Sequence, residues 1–295
     1  MVKKYTKLVV GGGAMKGVSL IGTLKYFEEY KMVDSLAELL GCSIGAIFCL
    51  FIVLDHNSTY LEEFILNTDL DIFTDQKLHN LIQDFGFSQG LYIEHIIKKI
   101  IKDKGYDENI TLLELYNKTQ KKLICIACNI NNGETVFFEH ESFPDFPVYM
   151  AVRASISIPF IFTPLEYNGC LYVDGGVTCN FPINYYKNNS KILYIYLDNM
   201  IKNNPSEIKS LDLYIHRIMK SACYGSDKVC LAYAEKHKYN LIRLKPSIDN
   251  IFDFTISNIE KKRIIDDGYN CTRLYFEKKK QRKIKTEIDE QTNKN

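Results

Sequence analysis

The 295-residue chain has no tryptophan, no apolar run long enough to cross a membrane and no excess of charge of either sign. Each absence excludes something. The longest uninterrupted apolar stretch, 46–54, is nine residues, roughly half of the ~20 that a membrane-spanning helix needs. At the amino terminus Lys3, Lys4 and Lys7 precede only Leu8-Val9-Val10 before a run of glycines, too short a core for a secretory signal. The expectation is a soluble, cytoplasmic protein, or one delivered without a conventional signal. A formal net charge of +1 leaves no field of one sign over the whole molecule, which argues against a general polyanion binder and against nucleic acid as a partner. The missing tryptophan, set beside abundant Ile, Lys, Asn and Tyr, fits the codon bias of an AT-rich genome and bears on source rather than chemistry. An even set of cysteines is lacking too. There are nine, scattered through apolar stretches, which suits buried free thiols in a reducing compartment. Cys125-x-x-Cys128 lies in Leu123-Ile124-Cys125-Ile126-Ala127-Cys128, a strand-like run with no helix start after it, so core packing is expected there rather than redox or metal chemistry.

What is present begins with a short apolar strand at 7–10, followed at once by Gly11-Gly12-Gly13-Ala14-Met15-Lys16-Gly17. Val18, Ile21, Leu24 and Phe27 then mark a helix. Strand, glycine loop and helix is a phosphate-cradle layout, yet both nucleotide readings fail. Gly-x-Gly-x-x-Gly begun at Gly11 would need glycine where Lys16 stands, and Gly12-x4-Gly17 is followed by Val18-Ser19 in place of Lys-Ser/Thr. The loop instead offers bare backbone N–H groups at the positive end of a helix, the arrangement of an oxyanion hole.

The second strand-like stretch, 36–42, runs into Gly41-Cys42-Ser43-Ile44-Gly45 and the apolar segment 46–54. Gly-x-Ser-x-Gly between a strand and a buried helix reads as a nucleophile elbow, with Ser43 on the turn. Two strand–loop–helix units in succession imply an α/β fold, a layered and mostly parallel sheet with helices on both faces. Further on, 91–101 repeats apolar residues at helical spacing with lysines opposite. A membrane-facing lid is one reading, and a helix packed on its own protein is the expected one. Segments 123–130 and 134–139 form a hairpin-like pair, and a helix near 151–158 is stopped by Pro159. Strands at 165–167 and 170–173 flank Asn168-Gly169, a hairpin signal. A strand at 191–197, a helix at 211–237, a strand at 240–244 and a helical segment at 254–276 complete the chain. No internal repeat or linker is visible, so one catalytic domain is expected over 1–276, with its core at 7–197 and a helical part at 208–276. Residues 277–295, basic then polar, are expected to be a disordered tail.

A serine needs a base. Asp174 ends an apolar strand and is followed by Gly175-Gly176, which leaves its carboxylate open to its surroundings; partial burial would raise its pKa into a useful range. Of the six histidines, His56, His79, His95, His140, His216 and His237, only the last two fit the Ser–Asp–His chain order of an α/β-hydrolase. Both fall in helical patterns, whereas that fold carries its histidine on a loop. A Ser43–Asp174 dyad is the better reading.

Taken together, Gly12-Gly13-Ala14-Met15-Lys16-Gly17, Gly41-Cys42-Ser43-Ile44-Gly45, Asp174-Gly175-Gly176 and, between them, Val152-Arg153-Ala154-Ser155 through Pro159 to Phe162-Thr163-Pro164 resemble the patatin-like phospholipase family. The resemblance implies a patatin-type α/β fold and a lipid acyl hydrolase without metal or cofactor, acting on phospholipid or other lipid esters. It gives Ser43 as nucleophile, Asp174 as base, and backbone N–H groups of Gly12, Gly13 and Ala14 as the oxyanion hole; the N–H of Ile44, the residue after the serine, is expected to join them. Ala14 departs from the third glycine that many members carry in this register, but it still offers its N–H. Lys16 occupies the family's Lys/Arg position, and two roles stand open for it: holding an anionic head group or bracing the loop. A lipid-binding module with little turnover is the rival reading. The tail also has two readings. Six basic residues between Lys278 and Lys285 would give peripheral contact with an anionic membrane, or they form a solvated end.

Overall fold

The computed structural model describes residues 4–68, 81, 83–187, 190–198, 208, 211–248 and 255–292. Its frame is a sheet in the order β10-β9-β1-β2-β4-β8-β7, with β5 on the remaining edge of β4. β10 (Leu241–Leu244), β9 (Ile192–Leu197), β1 (Lys7–Val10), β2 (Glu38–Cys42) and β4 (Lys122–Asn129) run parallel. β5 (Glu134–Phe138), β7 (Leu165–Tyr167) and β8 (Cys170–Asp174) add antiparallel pairs at one side. A separate two-stranded parallel sheet joins β3 (Gly86–Ser88) to β6 (Phe160–Phe162).

Strand residues are buried on both faces, as expected of a parallel sheet covered twice. Alternation sorts them: Leu8, Val10, Leu39, Leu193 and Ile195 join one core cluster, while Val9, Leu40, Ile124, Tyr194 and Tyr196 join the other. The first face is packed by α1 (Ser19–Glu29), α2 (Ile44–Val53), α3 (Ser58–Asn67), α4 (Leu91–Lys102), α5 (Leu112–Thr119) and α6 (Val148–Ser155). A one-turn α7 (Gly176–Cys179) follows β8, and α8 (Leu211–Lys236) covers the second face through Leu231 and Ala234. The layered α/β architecture expected from the sequence is thus present.

The final helix, α9 (Asn258–Thr292), lies on α1. The two cross at glycines: a Cβ on Gly22 would stand 1.9 Å from the Ile265 carbonyl oxygen, and one on Gly268 would stand 1.8 Å from that of Ser19. The hydroxyls of Thr23 and Thr272 share a hydrogen bond at 2.9 Å in the same buried contact.

Three local expectations are resolved by packing. Ile93, Ile97, Ile100 and Ile101 of α4 are buried in the core, so this amphipathic helix packs on its own protein. Asn168 and Gly169 both take left-handed backbone, φ 51° and 73°, and join β7 to β8 as a two-residue hairpin. Residues 277–292, within the stretch expected to be disordered, continue α9 as far as Thr292. Lysine, arginine, glutamine and glutamate in this stretch are good helix formers, and Lys279 anchors it by donating to the Tyr5 hydroxyl at 2.6 Å and to Asn240 Oδ1. The expected helical start at 254 lies outside the described residues. Among those described, no helix is long and apolar enough to cross a membrane.

Candidate active site

Sheet register brings Ser43 and Asp174 together. On β4, Ile126 faces Cys42 of β2, and the next residue, Ala127, faces Asp174 of β8. β8 therefore takes over the edge of β4 where β2 stops, and the two strands end one residue step, about 3.3 Å, apart along β4. Ser43 follows Cys42 at the turn into α2, with φ 54° and ψ −127°, a strained conformation for a residue with a side chain. The flanking glycines permit it. A Cβ on Gly41 would stand 2.3 Å from the Gly45 carbonyl carbon, and one on Gly45 would stand 2.6 Å from the Val10 oxygen. The Ser43 N–H donates to Ser155 Oγ at 3.0 Å.

Asp174 is buried. Its Oδ1 accepts from the Gly176 N–H at 2.7 Å and has the Cys42 thiol at 3.9 Å, while Oδ2 has no hydrogen-bond partner of ordinary geometry. Burial pushes its carboxyl up to about 6 from 3.8, against the lowering pull of the Ser43 hydroxyl, the Gly176 amide and the Cys42 thiol. Ser43 thus lies close enough to act on the carboxyl without a bond of standard length, a common state of catalytic pairs before substrate arrives. A carboxylate poised near neutrality beside a strained serine can take its proton and return it.

The glycine loop runs alongside. A Cβ on Gly12 would stand 3.1 Å from Ser43 Cβ, so the loop reaches the serine only because that Cβ is absent. The Gly12 N–H itself donates to the Asn180 carbonyl at 3.3 Å. Gly12 leaves space for Ser43, and its N–H, expected as an oxyanion donor, faces the Asn180 carbonyl. The N–H groups of Gly13, Ala14 and Ile44 have no hydrogen-bond partner among the described residues. Ala14 holds φ 46°, the left-handed conformation in which glycine is at ease. Lys16 is buried and its ammonium donates to the carbonyl of Asp198. Of its two roles, bracing the loop fits, since the head of the side chain is held inside the protein.

Arg153, also buried, ties the site together from behind. Its guanidinium donates to Ser157 Oγ, to the Gln89 carbonyl at 3.1 Å and to the Thr163 carbonyl at 2.9 Å, and the Ser157 carbonyl accepts the Asp174 N–H at 2.8 Å. Asn180 and Asp227 are site residues that no sequence motif marks. The Asn180 amide donates to Asp227 Oδ2 at 2.8 Å, and the Tyr196 hydroxyl donates to the same oxygen at 3.0 Å. Asn180 Oδ1 lies 2.5 Å from where a Gly12 Cβ would be and 3.4 Å from where a Gly176 Cβ would be, between the loop and the turn that carries the aspartate. His237 is exposed just past α8 and His216 lies on that helix, while His79 lies outside the described residues. All nine cysteines are free, and burial pushes the Cys125 and Cys128 thiols up, in keeping with packing.

A cavity of about 160 Å³ opens beside Ser43 between α1, α2, α3 and α4. Met15, Ile44, Phe48, Phe51, Ile96 and Phe162 are among its lining side chains, which are almost wholly apolar. The cavity suits a hydrocarbon chain next to the serine.

Residues 8–186, more than half of the chain, match the family model described as "Patatin-like phospholipase". The chain is 34% identical over 186 residues to the "Probable lipid hydrolase 463L" of Invertebrate iridescent virus 6, covering 61% of this chain and 63% of that protein. It is 26% identical over 193 residues to the rat calcium-independent phospholipase A2-gamma, covering 59% of this chain and only 25% of the rat protein. Among solved structures it is similar to VipD from Legionella pneumophila, with a TM-score of 0.64 at 14% identity over 94% of this chain and 67% of that one, a likeness of fold. With the elbow, the Asp-Gly-Gly turn and the glycine loop meeting at the carboxyl end of the parallel strands, and with the family match running through all three, the chain belongs to the patatin-like phospholipase family.

Proposed function

We propose that this protein is a serine acyl hydrolase of the phospholipase A type, cleaving fatty-acyl esters of phospholipid or related lipids. The observation that carries the reading is the pairing of Ser43 with a buried Asp174 whose carboxyl is raised to about 6, at the mouth of an apolar cavity. Asp174 takes the Ser43 proton as Oγ attacks the ester carbonyl. The N–H groups of Gly13, Ala14 and Ile44 hold the developing oxyanion. The proton passes to the departing alcohol and leaves an acyl-serine. Asp174 then takes a proton from water, which attacks the acyl carbonyl, and returns it to Ser43 Oγ as the acyl–serine bond breaks and the fatty acid leaves. The acyl chain lies in the cavity throughout, and Gly12, Asn180 and Lys16 keep the loop in register.

The test is fatty-acid release from a mixed lipid panel. Ser43→Ala and Asp174→Asn should each lose several orders of magnitude, whereas a His216→Ala/His237→Ala double variant should retain most of the rate. Wild-type turnover in either dyad variant refutes the assignment, and a dead histidine variant revives a triad. Failure of a fluorophosphonate to label Ser43 in folded protein would favour a lipid-binding module instead.

A further inference from the structure

Three of the larger exposed apolar side chains fall on one small unit of the fold. Phe85 is 61%, Leu91 66% and Phe160 43% exposed. Gly86 of β3 pairs with Phe160 of β6, so that Phe85, the residue before β3, adjoins that pair, and Leu91 opens α4 three residues after Ser88. Arg153 clamps the unit by binding the carbonyls of Gln89 and Thr163. Both phenylalanines hold left-handed backbone, φ 60° at Phe85 and 67° at Phe160. A bulky side chain there is an outlier that glycine or asparagine would avoid, so the fold carries two rings outward at sites where a smaller or polar residue would sit more easily.

The unit also borders the catalytic edge of the sheet. Ile158 and Phe162, two positions either side of Phe160, line the cavity that contains Ser43, and the neighbouring Ser157 carbonyl holds the Asp174 N–H. Phe160 therefore stands in the chain between two residues of the apolar cavity wall, and Phe85 stands beside its strand partner Gly86. The basic run 278–285 stands elsewhere. Lys279 binds Tyr5 and Asn240, residues just before β1 and β10, at the end of the parallel strands opposite Ser43. A membrane held by that run would face the wrong edge.

We propose that Phe85 and Phe160, with Leu91 at the start of α4, insert into a lipid surface and seat the cavity mouth against the bilayer. The choice of a bilayer as partner rests on the lipid-ester reading, in which the scissile bond lies just below the head groups and its acyl chain must pass from hydrocarbon into the cavity without crossing water.

The absence of tryptophan makes a direct test available. In a Ser43→Ala background, which stops hydrolysis, Phe160→Trp is the sole tryptophan. On adding uncharged phosphatidylcholine vesicles its emission should shift to the blue and be quenched by lipids brominated on the acyl chain, while a Lys283→Trp reporter should stay unchanged. A Phe85→Asn/Phe160→Asn variant keeps a residue tolerant of positive φ at both sites. It should bind these vesicles more weakly by roughly tenfold per ring yet hydrolyse a water-soluble short-chain ester at the wild-type rate. The proposal is overturned if the Phe160→Trp emission does not move, or if the double variant binds as wild type. It is also overturned if binding needs anionic lipid and vanishes in salt, or if the double variant loses soluble-ester hydrolysis to the same degree. A wild-type protein that inserts but cleaves no ester would sink the hydrolase reading and leave insertion standing.

Discussion

Replacing Asp174 with asparagine should inactivate the enzyme and stabilise the fold at once. The carboxyl is buried and its folded-state value is about 6 against 3.8 for the free group. The native state therefore binds a proton more tightly than the unfolded chain between these two values. Stability falls as pH rises through that window. Above it the charged aspartate costs the native state about 3 kcal/mol, since each pH unit between the two values is worth about 1.36 kcal/mol. The penalty is fully present at neutral pH and gone below the unfolded value. Asparagine keeps an acceptor for the Gly176 N–H and removes the charge. For a chain of 295 residues, an unfolding entropy near 2.1 cal/mol/K per residue converts about 3 kcal/mol into a rise in Tm of roughly 5 °C. Thermal unfolding of both proteins between pH 4 and 8 tests this: the curves should converge near pH 4 and separate as pH rises. A variant less stable than wild type at pH 7.5, or an offset independent of pH, would refute the assignment of Asp174 as a buried, ionised base. The same ionisation predicts that wild-type kcat/KM falls about tenfold per pH unit below 6.

Gly22→Ala presses a Cβ against the Ile265 carbonyl, backbone on backbone, and should cost at least about 3 kcal/mol in urea unfolding; a loss under about 1 kcal/mol would show that the α1–α9 contact yields. Gly225, within α8, has nothing near its missing Cβ, so Gly225→Ala should stabilise by about 0.5–1 kcal/mol, and destabilisation would contradict the helix there. Asn180→Ala strips the amide from Asp227 and should cost about 1.5–3 kcal/mol. Because Asn180 stands between Gly12 and Gly176, kcat should fall more than KM rises in the folded variant, and unchanged kcat would remove Asn180 from the positioning of the site.

The parts legible in the sequence are those in which backbone geometry demands a particular residue type. Gly41 and Gly45 are glycine because the Gly45 carbonyl carbon and Val10 oxygen stand where their Cβ atoms would be, and Gly175 because the Ile126 carbonyl stands 2.6 Å from its own. Such demands leave a motif. Ser43 and Asp174 can be named because each sits in one. Asn180 and Asp227 leave no comparable signal: the first reads as part of a loop and the second as one polar residue of a helix, and they meet across 47 positions. Lys16 is legible as a loop residue, but its direction depends on the Asp198 carbonyl at the end of a strand far along the chain. The composition of the tail resembles a solvated end, while the tether of Lys279 to Tyr5 that orders it spans 274 positions. Exposed Phe85 and Phe160 look like ordinary core residues in the sequence, since no pattern of spacing announces a positive φ.

The crossing of α1 and α9 also sets a schedule for synthesis. Thr23 and Thr272, hydrogen-bonded across it, are 249 positions apart. At about 5–20 residues per second, α1 waits roughly 12–50 s for its partner. The strands that place Ser43 and Asp174 emerge well before then, while the side of α1 that carries Gly22 stays open to solvent or to a chaperone. The strand ends that carry Ser43 and Asp174 can therefore come together before the far side of the fold closes, and the most exposed moment in the life of this fold comes after its candidate site has been built.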